Sequence, residues 1–161
     1  QFPEMLRGLI LVNTRAGADS PAGKANRQAA AAVARQQGAL AVADDMLPKL
    51  LAPATFQQQP QLVAHVHRLM AAAPVEALAN AQLGMATRGA SQDVLEGLFL
   101  PVLVITGADD KLIPPAESEA MARTVPGARL VVLEDAGHLA SLEAPAAFNA
   151  ALWEFLTVQV A

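Results

Sequence analysis

Three short runs of unbroken apolar residues punctuate this chain: Leu9 to Asn13 at the start, Val102 to Thr106, and Leu130 to Leu133. Apolar runs of four or five residues without polar alternation predict strands buried on both faces, as in a parallel sheet. Between the first and second runs the spacing of apolar positions becomes helical, from Lys24 to about Arg88. Pro48, Pro53, Pro60 and Pro74 are expected to cut that stretch into short helices, with Pro74 near a helix start. Gly38 and Gly84 are candidate C-terminal stops. Thr14 to Gly23 reads as a loop and Gly89 to Leu100 as a connector. Pro114 and Pro115 open a helix that runs to Val125, and Pro126-Gly127 closes it. From Pro145 to Val158, Phe148, Ala151, Leu152 and Phe155 recur at i, i+3, i+4 and i+7, the stripe of an amphipathic helix.

The order is therefore a strand, a helical insert, then strand, helix, strand, helix. Right-handed crossovers turn this into an α/β arrangement of about three parallel strands with helices on the faces of the sheet. No internal repeat is present, and the run Gln57 to Gln59 is too short to matter.

Composition narrows the functional classes. The 161 residues are enough for one domain with a sizeable core. Hydrophobic residues make up 53% and charged residues 16%, and the mean hydropathy is +0.32. Even so, no window approaches the about 18 uninterrupted apolar residues of a membrane helix. Residues 30–47 come nearest and are broken by Arg35, Gln36, Gln37, Asp44 and Asp45, so no membrane partner is expected. A net charge of −4 and a pI near 5.3 leave no basic patch for nucleic acid. The absence of cysteine excludes disulfides, thiol catalysis and Cys-type zinc sites, and fits a cytoplasmic protein. The N-terminus shows no signal-peptide pattern and no initiator Met, so the sequence reads as the continuation of something longer.

In an open parallel sheet, reactive groups gather beyond the carboxyl ends of the strands. Asp109 and Asp110 lie just past the second strand and His138 just past the third, so their loops should be neighbours. A carboxylate that accepts the His Nδ1–H fixes the tautomer of the ring and stabilises the imidazolium. Taken singly, either Asp reads as a turn former and His138 as a packed loop histidine; their placement on adjacent strand ends favours the pair. Arg15 follows the first strand at the same rim and is a candidate substrate contact. His65 and His67 point about 200° apart on a helix, so they do not form the i, i+4 zinc pair. Asp44 and Asp45 read as a helix-capping or solvated pair. No metal site and no cofactor are expected.

Residues 104–115, from Val104 through Asp110 to Pro115, resemble the acid loop of the α/β-hydrolase superfamily. Residues 136–149, with His138, Glu143 and Pro145, are similar to its catalytic-histidine loop and final helix. Residues 3–13 resemble the sixth strand of that fold, and the region from 14 to about 97 matches its helical cap. The resemblance covers the whole chain but only the C-terminal portion of a family member. It implies a partial hydrolase core at 1–13 and 98–161 and a cap at 14–97. It makes Asp110, three positions after Gly107, the acid of a catalytic triad and His138 the general base, with Asp109 as a neighbour.

The nucleophile is the missing member. The G-x-S-x-G elbow needs a strand, a tight turn and a helix. Ser20 and Ser91 have the wrong spacing, and Ser118 and Ser141 fall after the acid or the base. The expectation is that an N-terminal half outside these residues carries the elbow and the oxyanion hole. The resemblance implies hydrolysis of small carboxylic esters or lactones, with the esterase and enol-lactonase branch the most similar. Two alternatives stay open. One is a dehalogenase or epoxide hydrolase with an Asp nucleophile. The other is a non-catalytic fragment that acts by association, with the missing half or with a second copy through the Leu9–Asn13 strand edge.

Overall fold

The computed structural model describes residues 5–158. Residues 3 and 4, read as leading into the first strand, lie outside the described residues. Strand β1 (Leu9–Val12) is followed by helices α1 (Pro21–Leu50), α2 (Pro53–Gln58), α3 (Pro60–Ala71), α4 (Val75–Ala86) and α5 (Gln92–Glu96). Then come β2 (Val102–Gly107), α6 (Pro115–Thr124), β3 (Arg129–Leu133), α7 (Ala140–Glu143) and α8 (Pro145–Val158).

The three strands form a parallel sheet in the order β1-β2-β3. Every residue of the central strand β2 is buried, which explains its unbroken apolar run. Its side chains alternate between two cores. Leu103 and Ile105 pack with Leu133, Ala136, Ala151 and Phe155 under α7 and α8. Val102 and Val104 pack with Leu95, Met121 and Val125 under α5 and α6. At β1 the four residues are only half-buried, and the strand pairs on one side alone among the described residues. The register sets Val12 against Ile105 and Gly107 against Leu133, so all three strands end at one rim.

In the helical region the prolines start helices more than they stop them. Pro53 and Pro60 stand at first helical positions, where a missing N–H costs nothing, and Pro74 is the N-cap of α4. Pro48 does not cut α1: it lies in the last turn of a helix that runs on to Leu50. The break comes instead at Gly38, whose φ of 82 and ψ of 173 divide α1 into two segments at a kink. Gly84 is helical, inside α4 rather than beyond its end. The loop expected up to Gly23 stops at Ser20, whose side chain accepts the Gly23 N–H and caps α1. The expected connector before β2 contains α5, and α7 is a short helix that periodicity does not show. Alanines 31, 34, 43 and 79 are buried where α1 meets α3 and α4; small side chains let the helices approach closely. No helix among the described residues is long and apolar enough to cross a membrane.

Candidate active site

Asp110 and His138 meet at the rim of the sheet. His138 Nδ1 lies 2.9 Å from Asp110 Oδ2, with the carboxylate fully buried and about a quarter of the His side chain exposed. The acid accepts three further hydrogen bonds. Asn13 Nδ2 donates to the same Oδ2 at 2.9 Å, and the amides of Leu112 and Ile113 donate to Oδ1 at 2.9 Å each. Burial pushes the Asp110 carboxyl up, but the donors from His138, Ile113 and Asn13 outweigh burial and hold it below the ordinary carboxylate range. The carboxylate is therefore an acceptor only. His138 donates from Nδ1, and Nε2 of the neutral ring is left as the proton acceptor.

Backbone packing fixes these groups. Asn13 ends β1 with φ of 45, a left-handed conformation that Asn tolerates better than most residues. From there its amide reaches both Asp110 and, at 3.2 Å, the Gly137 carbonyl. Gly107 and Gly137 are glycines because main chain passes against main chain. A Cβ on Gly107 would lie 2.2 Å from the Gly137 oxygen, and one on Gly137 would lie 2.7 Å from the Leu50 oxygen and 2.8 Å from the Ala52 nitrogen. The His138 amide in turn donates to the Leu50 carbonyl at 2.8 Å. The His138 loop is thus pressed onto the junction between α1 and α2.

Glu143 lies beneath that loop. One of its oxygens accepts the Gly137 and Leu139 amides at 2.9 and 3.2 Å. The other accepts the Ala52 amide and the Thr55 hydroxyl at 2.7 Å each. From the sequence alone, Glu143 belongs to the histidine motif without a role and Asn13 only closes a strand. The available signals are modest: Glu143 is the single acid between Asp135 and Glu154, and Asn13 is a polar residue at the end of an apolar run.

The remaining candidates separate from this pair. Asp109 is exposed, and only its backbone is engaged, its amide donating to the Ala136 carbonyl at 2.9 Å. Arg15 pairs with the buried Asp19, which also binds Arg27 at 2.9 Å. These residues line a cleft of about 470 Å³ with Lys49, Gln82 and Leu112, the residue whose amide binds Asp110. Ser91 is the N-cap of α5, Ser118 is buried in α6 and Ser141 lies in α7. With Ser20 at its cap, no serine among the described residues hydrogen-bonds His138. His65 is exposed, whereas His67 Nε2 lies 2.7 Å from Asp44 Oδ1. Asp44 and Asp45 fall inside α1, not at a cap, and Asp45 pairs with Lys49. Among the described residues no group of three His, Asp or Glu side chains is placed to hold a metal ion.

Known proteins match this chain in sequence and fold. A family model of the alpha/beta hydrolase fold matches residues 1–145. The chain is 30% identical over 152 residues to 3-oxoadipate enol-lactonase 2 of Acinetobacter baylyi, a match that covers 94% of this chain and 55% of that protein. A thermophilic esterase from Thermogutta terrifontis, solved with malate bound, superposes with a TM-score of 0.94 at 40% identity; the match covers 100% of this chain and 59% of the esterase. The enol-lactonase of Burkholderia xenovorans LB400 superposes with a TM-score of 0.84 at 29% identity, covering 94% of this chain and 56% of that one. The chain thus spans a little over half the length of these relatives. Its three parallel strands, its flanking helices and the family match over most of its length place it in one family: the chain belongs to the α/β hydrolases.

Proposed function

We propose that these residues are the acid-and-base portion of a serine-type α/β hydrolase that acts on small carboxylic esters or lactones. The observation that carries this reading is the His138–Asp110 pair, with Nδ1 bound to a buried carboxylate and Nε2 left as acceptor. In this reading His138 takes the proton of the attacking serine and returns it to the leaving group, while Asp110 holds the tautomer and stabilises the imidazolium. The likeness to an esterase and to two enol-lactonases supports the substrate class. Residues 14–97 act as the cap. Their kinked α1 and α4 enclose an apolar pocket of about 410 Å³ lined by Val33, Val42, Met46 and Leu78. That pocket shares Ala30, Asp45, Met46 and Gln82 with the Arg15 cleft. An acyl chain would sit in the former, with Arg15 at the polar end. The protein works in the cytoplasm, a reading supported by its lack of cysteine.

The nucleophile and the oxyanion donors come from outside these residues, from chain that pairs with the open side of β1. That apolar edge, unpaired among the described residues, also favours a second reading, association with another copy, because exposed strand edges template pairing.

The test is hydrolysis of p-nitrophenyl esters and an enol-lactone by a chain extended with its native preceding sequence, combined with labelling by a fluorophosphonate. The expected result is label on a serine outside these 161 residues and turnover lost in His138→Ala. Turnover that survives His138→Ala would overturn the base assignment. Turnover without serine labelling would move the enzyme to the Asp-nucleophile branch.

A further inference from the structure

We infer that Glu143 is a positioning residue for the base: it ties the His138 loop to the α1–α2 junction and so sets the place from which His138 meets Asp110. This rests on the reading of His138 and Asp110 as base and acid given above.

Glu143 is a carboxylate with 5% exposure and no cationic partner among the described residues. A buried charge of this kind is costly unless hydrogen bonds replace its water. Here four donors do so, two on each oxygen, and they come from opposite sides. Gly137 and Leu139 flank His138 directly in the chain, so one oxygen grips the base loop on both sides of the imidazole. Ala52 and Thr55 belong to the start of α2, 91 and 88 residues earlier. The main chain of Glu143 joins the same clamp, since its carbonyl accepts Gln59 Nε2 at 2.9 Å.

Two contacts run parallel to this clamp: the His138 amide to the Leu50 carbonyl, and the close seat of Gly137 on Leu50 and Ala52. The carboxylate is the component that a single isosteric change removes. Glu143→Gln keeps the shape but puts an NH₂ against one pair of donors, whichever way the amide is turned. If the NH₂ faces Gly137 and Leu139, the loop that carries His138 must shift. If it faces Ala52 and Thr55, the link to the helical region opens. Neither change touches Asp110, so an effect at the Asp110–His138 bond would be transmitted through the loop.

The experiment reads the His138 Nδ1 proton by NMR in ¹⁵N-histidine-labelled chain, either these 161 residues or any longer chain that contains them. Measurements are made well below the melting temperature. In the native chain a downfield, slowly exchanging Nδ1 proton is expected, and it should vanish in Asp110→Asn. In Glu143→Gln that proton is expected to be lost, or to exchange with water at least about tenfold faster, with native far-UV circular dichroism. Thr55→Val removes one donor at nearly constant volume, and about a fivefold faster exchange is expected. A lower melting temperature with an unchanged Nδ1 proton in both variants would reduce Glu143 to a packing role and overturn the inference. Should Glu143→Gln not fold, Thr55→Val decides alone. Absence of the proton in the native chain would instead sink the underlying His138–Asp110 reading, so the two failures are distinct.

Discussion

Asn13 and Asp110, 97 residues apart in the chain, are joined by a 2.9 Å hydrogen bond from the Asn13 side-chain amide to Asp110 Oδ2. His138 binds the same oxygen. The end of β1 therefore helps to hold Asp110, which in turn holds His138, and three strand ends converge on one carboxylate.

This predicts a graded response at position 13. Asn13→Gly keeps the left-handed backbone but removes both side-chain hydrogen bonds, and is expected to cost about 1–3 kcal/mol. Asn13→Ala adds the strain of a Cβ at φ of 45, about 1–2 kcal/mol more. Urea unfolding of the two variants would check the order. Equal stability of Asn13→Ala and the native chain would show that the bond carries no weight.

In a chain that supplies the nucleophile, Asp110→Asn is expected to lower kcat by about 10⁴ through the wrong tautomer of His138. Asp109→Asn, at an exposed side chain, should change kcat by less than about threefold, in line with substitutions away from structural features. Ester hydrolysis at saturating substrate is the measurement. Comparable losses at both positions would undo the choice of acid. The 161 residues alone should show negligible esterase activity, since loss of a triad nucleophile costs about 10⁶.

The pH dependence of stability follows from the depressed Asp110 carboxyl. A group ionised more readily in the folded state stabilises the fold at neutral pH, where the unfolded carboxyl is ionised too. That contribution persists down to about pH 4 and is lost as pH falls further, through the folded value. Asp110→Asn should therefore lower stability at pH 7 and flatten the decline below about pH 4. An acid limb as steep in the variant as in the native chain would show that other carboxylates dominate it.

Two glycine substitutions should have opposite signs. Gly137→Ala drives a Cβ into the Leu50 and Ala52 backbone, with approaches of 2.7 and 2.8 Å. It is expected to destabilise by about 1–3 kcal/mol, as overpacking does. Gly84 lies inside α4, and the space that a methyl group would take there is open. Gly84→Ala should therefore stabilise by about 0.4–1 kcal/mol. Denaturant midpoints of the two variants decide the matter.

The side of β1 that has no strand partner among the described residues predicts association of the 161-residue chain at micromolar concentration. Antiparallel pairing of two Leu9–Val12 edges across a two-fold axis is the simplest arrangement. Light scattering after size-exclusion chromatography would reveal it. A monodisperse 16.7 kDa species with a cooperative melt would show that the edge is covered another way.

The strands were legible as uninterrupted apolar runs at 9–12, 102–105 and 130–133, although only β2 is buried on both faces; β1 is half-buried and β3 exposes Val132. Proline at a first helical position is equally local, so the openings at Pro115 and Pro145 could be read directly, whereas Pro53 and Pro60, expected to cut helices, instead start them. Chain order and strand ends put the loops of Asp109, Asp110 and His138 side by side, and the resemblance to the α/β hydrolases points to Asp110 rather than Asp109. The long run of α1 through Pro48 could not be read. Pro48 gives up one i→i−4 hydrogen bond inside α1, and the packing of α1 on α3 and α4 holds the helix on through it. Nor could the roles of Asn13 and Glu143 be read, because their partners lie up to 97 residues away in sequence. What the sequence alone determined was the three strands, the helix openings at Pro74, Pro115 and Pro145, and the two strand-end loops that carry Asp110 and His138. What only the tertiary structure decided was how that pair is held. Hydrogen bonds between distant loops depend on the register of the sheet and the seat of the His138 loop on α1 and α2, and neither leaves a periodic trace in the chain.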